Sequence, residues 1–305
     1  IIDAYKILCE GTYFEVAVRS SATAEDLPEA SFAGQHDSFL NILGEAQLLD
    51  TVKNCFASLY TNRAIKYRED QGFIHKDIAI SVGVQKMVRS DLGCSGVGFT
   101  LEPESGFENI ILLSGVWGLG ENIVQGTVTP DEFYVFKPTL KLDKNAIIQK
   151  KLGSKEKTMI YAESNNHSSL LNIETPVSKQ KQFVLDDDEI QKLAKWALII
   201  EEHYKKAIDI EWAKDGINNQ LFILQARPET VHQTKNKKVF FEYKLLEKSE
   251  IITKGNAVGS KIIVGTARVL NSPKDAYKLQ EGEIIVTNTI TPDWDPLLKK
   301  SGGKH

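Results

Sequence analysis

The chain has 305 residues, 42% of them hydrophobic and 26% charged, with 37 basic residues against 41 acidic ones and a net charge of −4. That length suits two globular domains, and the slight acidity excludes the broadly basic surface that marks nucleic-acid binding, although phosphate ligands need only a local cluster. No apolar run is long enough to span a membrane, and the opening IIDAYKILCE lacks the basic start and small-residue cleavage site of a signal peptide.

Three widely spaced cysteines, Cys9, Cys55 and Cys94, form neither a metal-ligand pattern nor a disulfide framework, which fits a reducing compartment and a cytoplasmic location. The six histidines are scattered. The chain starts at Ile1 without an initiating Met, so a fragment of a longer protein is expected.

In chain order, Val16–Val18 reads as a short strand ending at Arg19, followed by Ser20, Ser21 and Thr23. Glu45–Gln71 reads as one helix, because Leu48, Leu49, Val52, Phe56, Leu59, Tyr60 and Ala64 recur at three- and four-residue spacing between Gly44 and Gly72. Ala79–Val88 reads as a buried strand. GVGFT and IILLSGVWG continue the β-structure with glycine breaks, and DEFYVFKP alternates up to Pro138. Asp186–Lys206 opens with acids and carries an apolar stripe, as an amphipathic helix does.

AIDIEW and LFILQARPE then read as an antiparallel hairpin joined by AKDGINNQ. A turn centred near Asn218 would set Glu211 opposite Gln225. Period-two alternation puts Leu221, Ile223, Gln225 and Arg227 on one face. HQTKNKKVFFEYK (His232–Lys244) reads as a linker, dividing the chain into residues 1–232, a linker over 233–248, and 249–305. The last part begins with strands of five to six residues separated by glycines.

The hairpin carries the chemistry. A carboxylate (Glu211) and an amide oxygen (Gln225) are hard ligands suited to Mg²⁺, which takes few protein groups and keeps phosphate oxygens and waters. Arg227 offers a bidentate fork to phosphate. A buried Glu211–Arg227 pair with Gln225 capping a backbone group fits the same pattern. Arg19 is similarly open: it could pair with Glu25 or Asp26, or hold phosphate beside the short hydroxyls and Gly34. GLGEN (Gly118–Asn122) reads as a turn.

The stretches VRSSATAEDLPEASFAGQHDSFLN, VQKMV with SGVGFT, WGLGENIVQGTVTPDEFYVF, KKLGSKEKTMIYAES, DIEWAKDG, LFILQARPET and NAVGSKIIVGTARV with TPDWDPLLKK together resemble the phosphoenolpyruvate synthase family of dikinases, in the family's order and over nearly the whole chain. Rifampicin phosphotransferases share the SSATAEDLP style, and a non-catalytic ATP-binding module is a further alternative. The resemblance implies an α+β chain: an ATP-grasp nucleotide-binding domain followed by an incomplete, β-rich swivelling phosphohistidine domain. It implies ATP and Mg²⁺ as ligands, pyruvate as a substrate of the full-length enzyme, and a homodimer as one assembly open to it. Neither nucleic acid nor membrane is an expected partner.

Carried onto these residues, the resemblance makes Arg19 and Arg227 the catalytic clamp on polyphosphate, and Glu211 and Gln225 the Mg²⁺ ligands with Asp209 nearby. Gly34, Gln35 and Ser38 line the phosphate loop, and Gln85, Lys86, Met87 and Val88 the adenine edge. The family's glycine–lysine segment, pyruvate-binding barrel and Gly-Gly-x-Thr-Cys/Ser acceptor motif have no match here. His305 follows Trp294 too closely to be taken as the phosphohistidine. The expectation is therefore a chain without synthase activity of its own, which at most binds ATP, and weakly.

Overall fold

A computed structural model of the chain describes residues 1–23, 38–162, 170–229, 244, 246–247, 250–251, 262–288, 290, 294–298 and 300–301. The chain opens with α1 (Ile2–Cys9), β1 (Val16–Ala22), β2 (Ser38–Ile42), α2 (Glu45–Ala57), α3 (Asn62–Asp70) and β3 (Ile80–Lys86). The three strands form an antiparallel sheet in the order β2-β1-β3. Val16 and Val18 point to one face of it, where Tyr5 and Cys9 of α1 and Leu48, Val52 and Cys55 of α2 cover them. The other face carries Ala17, Arg19 and Gln85, since side chains alternate along a strand.

The single helix expected over Glu45–Gln71 is two. It breaks at a 3₁₀ turn, Ser58–Tyr60. Ser58 Oγ donates to the Cys55 carbonyl at 2.7 Å, and Thr61 stands in extended backbone as the cap of α3, its Oγ1 accepting from the Ala64 N–H. Short hydroxyl side chains offer the backbone such local alternatives to a continuous helix. Phe56 and Tyr60, counted in the apolar stripe, are exposed. β3 is also not buried as expected: it is an edge strand whose residues are half-buried or exposed.

The second sheet is assembled from β4 (Cys94–Phe99), β5 (Ile110–Trp117), α4 (Glu121–Val124), β6 (Asp131–Phe136), α5 (Lys137–Leu140), β7 (Ile147–Lys151), β8 (Lys157–Tyr161), β9 (Leu170–Glu174), α6 (Val177–Gln180), α7 (Asp187–Tyr204), β10 (Ile208–Lys214) and β11 (Leu221–Pro228). Six of these strands form an antiparallel sheet in the order β11-β10-β4-β5-β6-β7, and β8 and β9 pair separately. α7 starts as the acidic run implies, with a capping box in which Asp186 accepts from the Glu189 N–H and Glu189 from the Asp186 N–H. Its buried stripe, Ile190, Leu193, Ala194, Ala197 and Leu198, lies on one sheet face against Ile111, Leu113, Phe133, Ile208, Ile210 and Trp212.

The glycines of β4 and β5 do not break the strands. A Cβ at Gly96 would stand 1.8 Å from the Ser114 carbonyl oxygen and 2.6 Å from the Trp212 ring. The strand gives up side chains there so that the fully buried Trp212 can lie across it. All three cysteines are buried and free, and burial pushes the Cys94 thiol up to about 12.

The final part differs from expectation. Among the described residues its strands are only three long, β12 (Ala267–Val269) and β13 (Ile284–Val286), paired in parallel. A small cluster of Leu270, Trp294 and Leu297 sits with them, the last two beside or in α8 (Asp295–Leu298). A ladder extends only as far as its partner strand, and this one has three rungs. No helix among the described residues is long and apolar enough to cross a membrane.

Candidate functional site

The β10–β11 hairpin closes with Lys214 opposite Leu221, and its turn places Asn219 at φ 59°. From there the register runs through Trp212 opposite Ile223 and then shifts, so that Glu211 stands opposite Gln225, Ile210 opposite Ala226 and Asp209 opposite Arg227. The extra residue is Leu224, a β-bulge. The expected Glu211–Gln225 pairing is therefore present, but the expected common face is not. Leu221 and Ile223 pack into the core under α7, and after the bulge it is Ala226 that does so. Gln225 and Arg227 are turned to the opposite face, beside Asp209 and Glu211. One inserted residue reverses the parity of a strand, and that reversal gathers four polar side chains on one surface.

This surface meets the bare face of the three-stranded sheet. Arg19 Nη2 donates to Glu211 Oε2 at 2.7 Å and also to Gln225 Oε1. Arg227 is paired with Asp209, Nε to Oδ2 at 2.8 Å and Nη2 to Oδ2 at 2.7 Å. The Glu211–Arg227 ion pair that the sequence pattern left open is thus replaced by two crossed pairs, and Gln225 accepts from a guanidinium rather than capping backbone. Gln85 Nε2 donates to the carbonyl of the bulge residue Leu224 at 3.2 Å. Beyond it the connector between the sheets is tied to the hairpin turn: the Arg89 N–H donates to Asp215 Oδ2 at 3.3 Å and the Gly216 N–H to the Arg89 carbonyl at 3.0 Å. Backbone hydrogen bonds from Ile217, Asn218 and Arg89 outweigh burial and hold the Asp215 carboxyl below its ordinary value.

The remaining expected residues are distributed as follows. Ser38 is Arg19's partner across β1–β2 and is exposed. Gly34 and Gln35, with Glu25 and Asp26, lie outside the described residues. Lys86 points to the sheet face opposite Gln85, its Nζ 4.5 Å from the centre of the Phe14 ring. The Met87 N–H is bonded to the Glu15 carbonyl, and the Val88 carbonyl accepts from the Ser90 N–H. Thr23 Oγ1 is used locally, accepting from the Ala79 N–H. Gly118–Gly120 leads into α4, whose second residue Asn122 is buried against Asn172 and Thr127. Arg89, Asp215 and Leu224 fix the hairpin against the connector; in the sequence only the Asp-Gly turn at Asp215 carries a visible signal.

The donor set fits a magnesium ion carried on a polyphosphate. A carboxylate oxygen and an amide oxygen from neighbouring strands converge on one guanidinium nitrogen, and both are hard donors of the kind a small divalent cation takes. No group of three or more His, Cys, Asp or Glu among the described residues is arranged to hold a metal. A site of two protein oxygens is what Mg²⁺ requires when phosphates and waters fill its other positions. A cavity of about 340 Å³ also lies at the turn end of the hairpin, lined by Gly93, Cys94, Trp117, Asp186, Lys214 and Gly216. It holds a Lys214–Glu189 ion pair and none of the four converging side chains.

A family model described as "Pyruvate phosphate dikinase, AMP/ATP-binding domain" matches residues 1–246. The chain belongs to this family. Among curated proteins, it is 54% identical to the phosphoenolpyruvate synthase of Aquifex aeolicus over 94% of this chain and 35% of that protein. It is 49% identical to that of Helicobacter pylori over 99% and 39%, and 48% identical to that of Escherichia coli over 93% and 36%. The chain therefore spans little more than a third of the length of these relatives. Membership of the AMP/ATP-binding family agrees with the mixed α/β architecture.

Proposed function

We propose that this chain is the ATP-binding portion of a phosphoenolpyruvate synthase, in which a phosphoryl group passes from ATP through a phosphohistidine to pyruvate, giving phosphoenolpyruvate, AMP and phosphate. The observation that carries the reading is the convergence of Arg19, Glu211 and Gln225 across two sheets, in a chain whose relatives bear that name. Arg19 and Arg227 bind the polyphosphate oxygens and neutralise charge as it shifts toward the leaving group. Glu211 and Gln225 hold Mg²⁺, which supplies further charge neutralisation when bound. Asp209 orients the Arg227 fork. Gly34, Gln35 and Ser38 line the phosphates, and the Gln85–Val88 segment lies along the adenine edge. The acceptor is an imidazole nitrogen, nucleophilic when neutral, so this site needs no general base.

In this reading residues 1–232 are an ATP-grasp nucleotide-binding domain, 233–248 a linker, and 249–305 part of a swivelling phosphohistidine domain.

Calorimetric titration of the chain tests the proposal. ATP with Mg²⁺ is expected to bind, and chelation of the metal to remove most of that affinity. Arg227→Ala is expected to weaken binding by about 10- to 100-fold, the range for charge-assisted hydrogen bonds of about 1.5–3 kcal/mol. Metal-independent binding that ignores Arg227 would contradict the assignment.

A further inference from the structure

The proposed cation position is filled by the protein's own charge. Arg19 Nη2 donates to both Glu211 and Gln225, the two groups whose oxygens would ligate the metal. Arg227, the second cation of the cluster, is engaged with Asp209. Among the described residues, Arg19 thus meets Glu211 and Arg227 meets Asp209. A metal ligated by the same Glu211 and Gln225 oxygens would meet Arg19 Nη2, and two cations do not share one position.

We propose that Arg19 is an exchangeable occupant of the metal position: it sits on Glu211 and Gln225 until a metal–nucleotide complex arrives, then passes to the phosphates as the divalent cation takes its place. The proposal rests on the ATP-binding reading above and adds a rule for how the site fills. In the exchange Glu211 gains a cation as it loses one, and Arg19 gains phosphate oxygens as it loses carboxylate. No charge is left uncovered on either side, which is the condition for moving ionised groups within a partly buried site. A bare divalent cation meets different terms: it must expel Arg19 with no phosphate to receive it. The site is accordingly biased toward metal delivered on nucleotide.

The consequence is an effect of opposite sign in one variant. Binding of Mn²⁺ is followed by electron paramagnetic resonance, first as the bare ion and then as the ATP complex, in the wild-type chain, Arg19→Ala and Arg19→Met. The methionine variant keeps the bulk of the arginine stem, and circular dichroism confirms that both variants fold. Removing Arg19 is expected to tighten bare Mn²⁺ binding about tenfold, because an ion pair no longer competes, and to weaken Mn²⁺–ATP binding about tenfold or more. Glu211→Gln should abolish both signals. If Mn²⁺–ATP binding depends on Glu211 but bare Mn²⁺ binds no tighter without Arg19, the exchange is wrong and the ATP-binding reading stands. If neither form of Mn²⁺ responds to Glu211→Gln, the metal is elsewhere and both fail.

Discussion

Glu211→Gln is expected to remove the magnesium-dependent part of ATP affinity, a loss of about 100-fold or more, read by calorimetry with and without Mg²⁺. The substitution keeps shape and replaces one carboxylate oxygen by an amide nitrogen, so a metal ligand and a full charge disappear together. Stability should hardly move. The Glu211 side chain retains 35% of its surface exposure and its pairing with Arg19 is only partly buried, a setting in which an ion pair is worth about 1 kcal/mol or less. Gln225 still accepts from Arg19 in the variant. A folded protein without metal-dependent binding is the expected outcome. Affinity within about threefold of wild type, a change of under about 1 kcal/mol, would remove Glu211 from the site.

Asp131→Ala is expected to cost about 3–5 kcal/mol of folding stability, measured by urea unfolding. Asp131 and Lys155 form an ion pair whose side chains are both completely buried. Asp131 also accepts from the Gly153 N–H at 2.8 Å and the Val184 N–H at 2.9 Å. It thereby ties β6 both to the loop after β7 and to the segment leading into α7. Removing it strands a buried ammonium and orphans two backbone donors, and a loss of that size is a large share of the roughly 5–15 kcal/mol that holds a domain folded. Lys155 would keep the carbonyls of Gly153 and Gln180, which cannot neutralise it. The double change Asp131→Ala with Lys155→Met should recover part of the loss, because an apolar replacement of a buried pair is often tolerated. A single mutant within about 1 kcal/mol of wild type would show that the pair is not structural.

Much of the local structure was legible in the chain, and the reason is local physics. Asp186 and Glu189 announce the start of α7, and the apolar stripe behind them names its buried face. Asp215–Asn219 announces the hairpin turn. The bulge was not legible: Leu224 is one more apolar residue in LFILQ, and alternation assumes an unbroken ladder. That single residue decides which face Gln225 and Arg227 occupy. The division of Glu45–Gln71 into two helices was hidden because Ser58 and Thr61 act through side-chain hydrogen bonds that a count of apolar spacing ignores.

The candidate site was legible as a set of residue types and in the one pairing of Glu211 opposite Gln225, but not in its contacts between the two sheets. Arg19 and Glu211 are 192 positions apart, and nothing local to either says which carboxylate Arg19 meets. That pairing follows from the packing of one sheet face on another, with Gln85 and Arg89 fastening the hairpin. The resemblance of several motifs in order supplied roles for Arg19, Glu211, Gln225 and Arg227 that residue chemistry alone left balanced against plain ion pairing.

Hydrogen–deuterium exchange of the chain with and without Mg²⁺–ATP tests the central claim most directly. The claim is that the polyphosphate and its metal sit between the face of β1 carrying Arg19 and the outer face of the β10–β11 hairpin. Exchange is expected to slow together in peptides covering Val16–Ala22 and Leu221–Pro228, and to return to the free rate when the metal is chelated. Slowing confined to the residues around the other cavity, near Gly93, Asp186 and Gly216, would place the nucleotide elsewhere and contradict it.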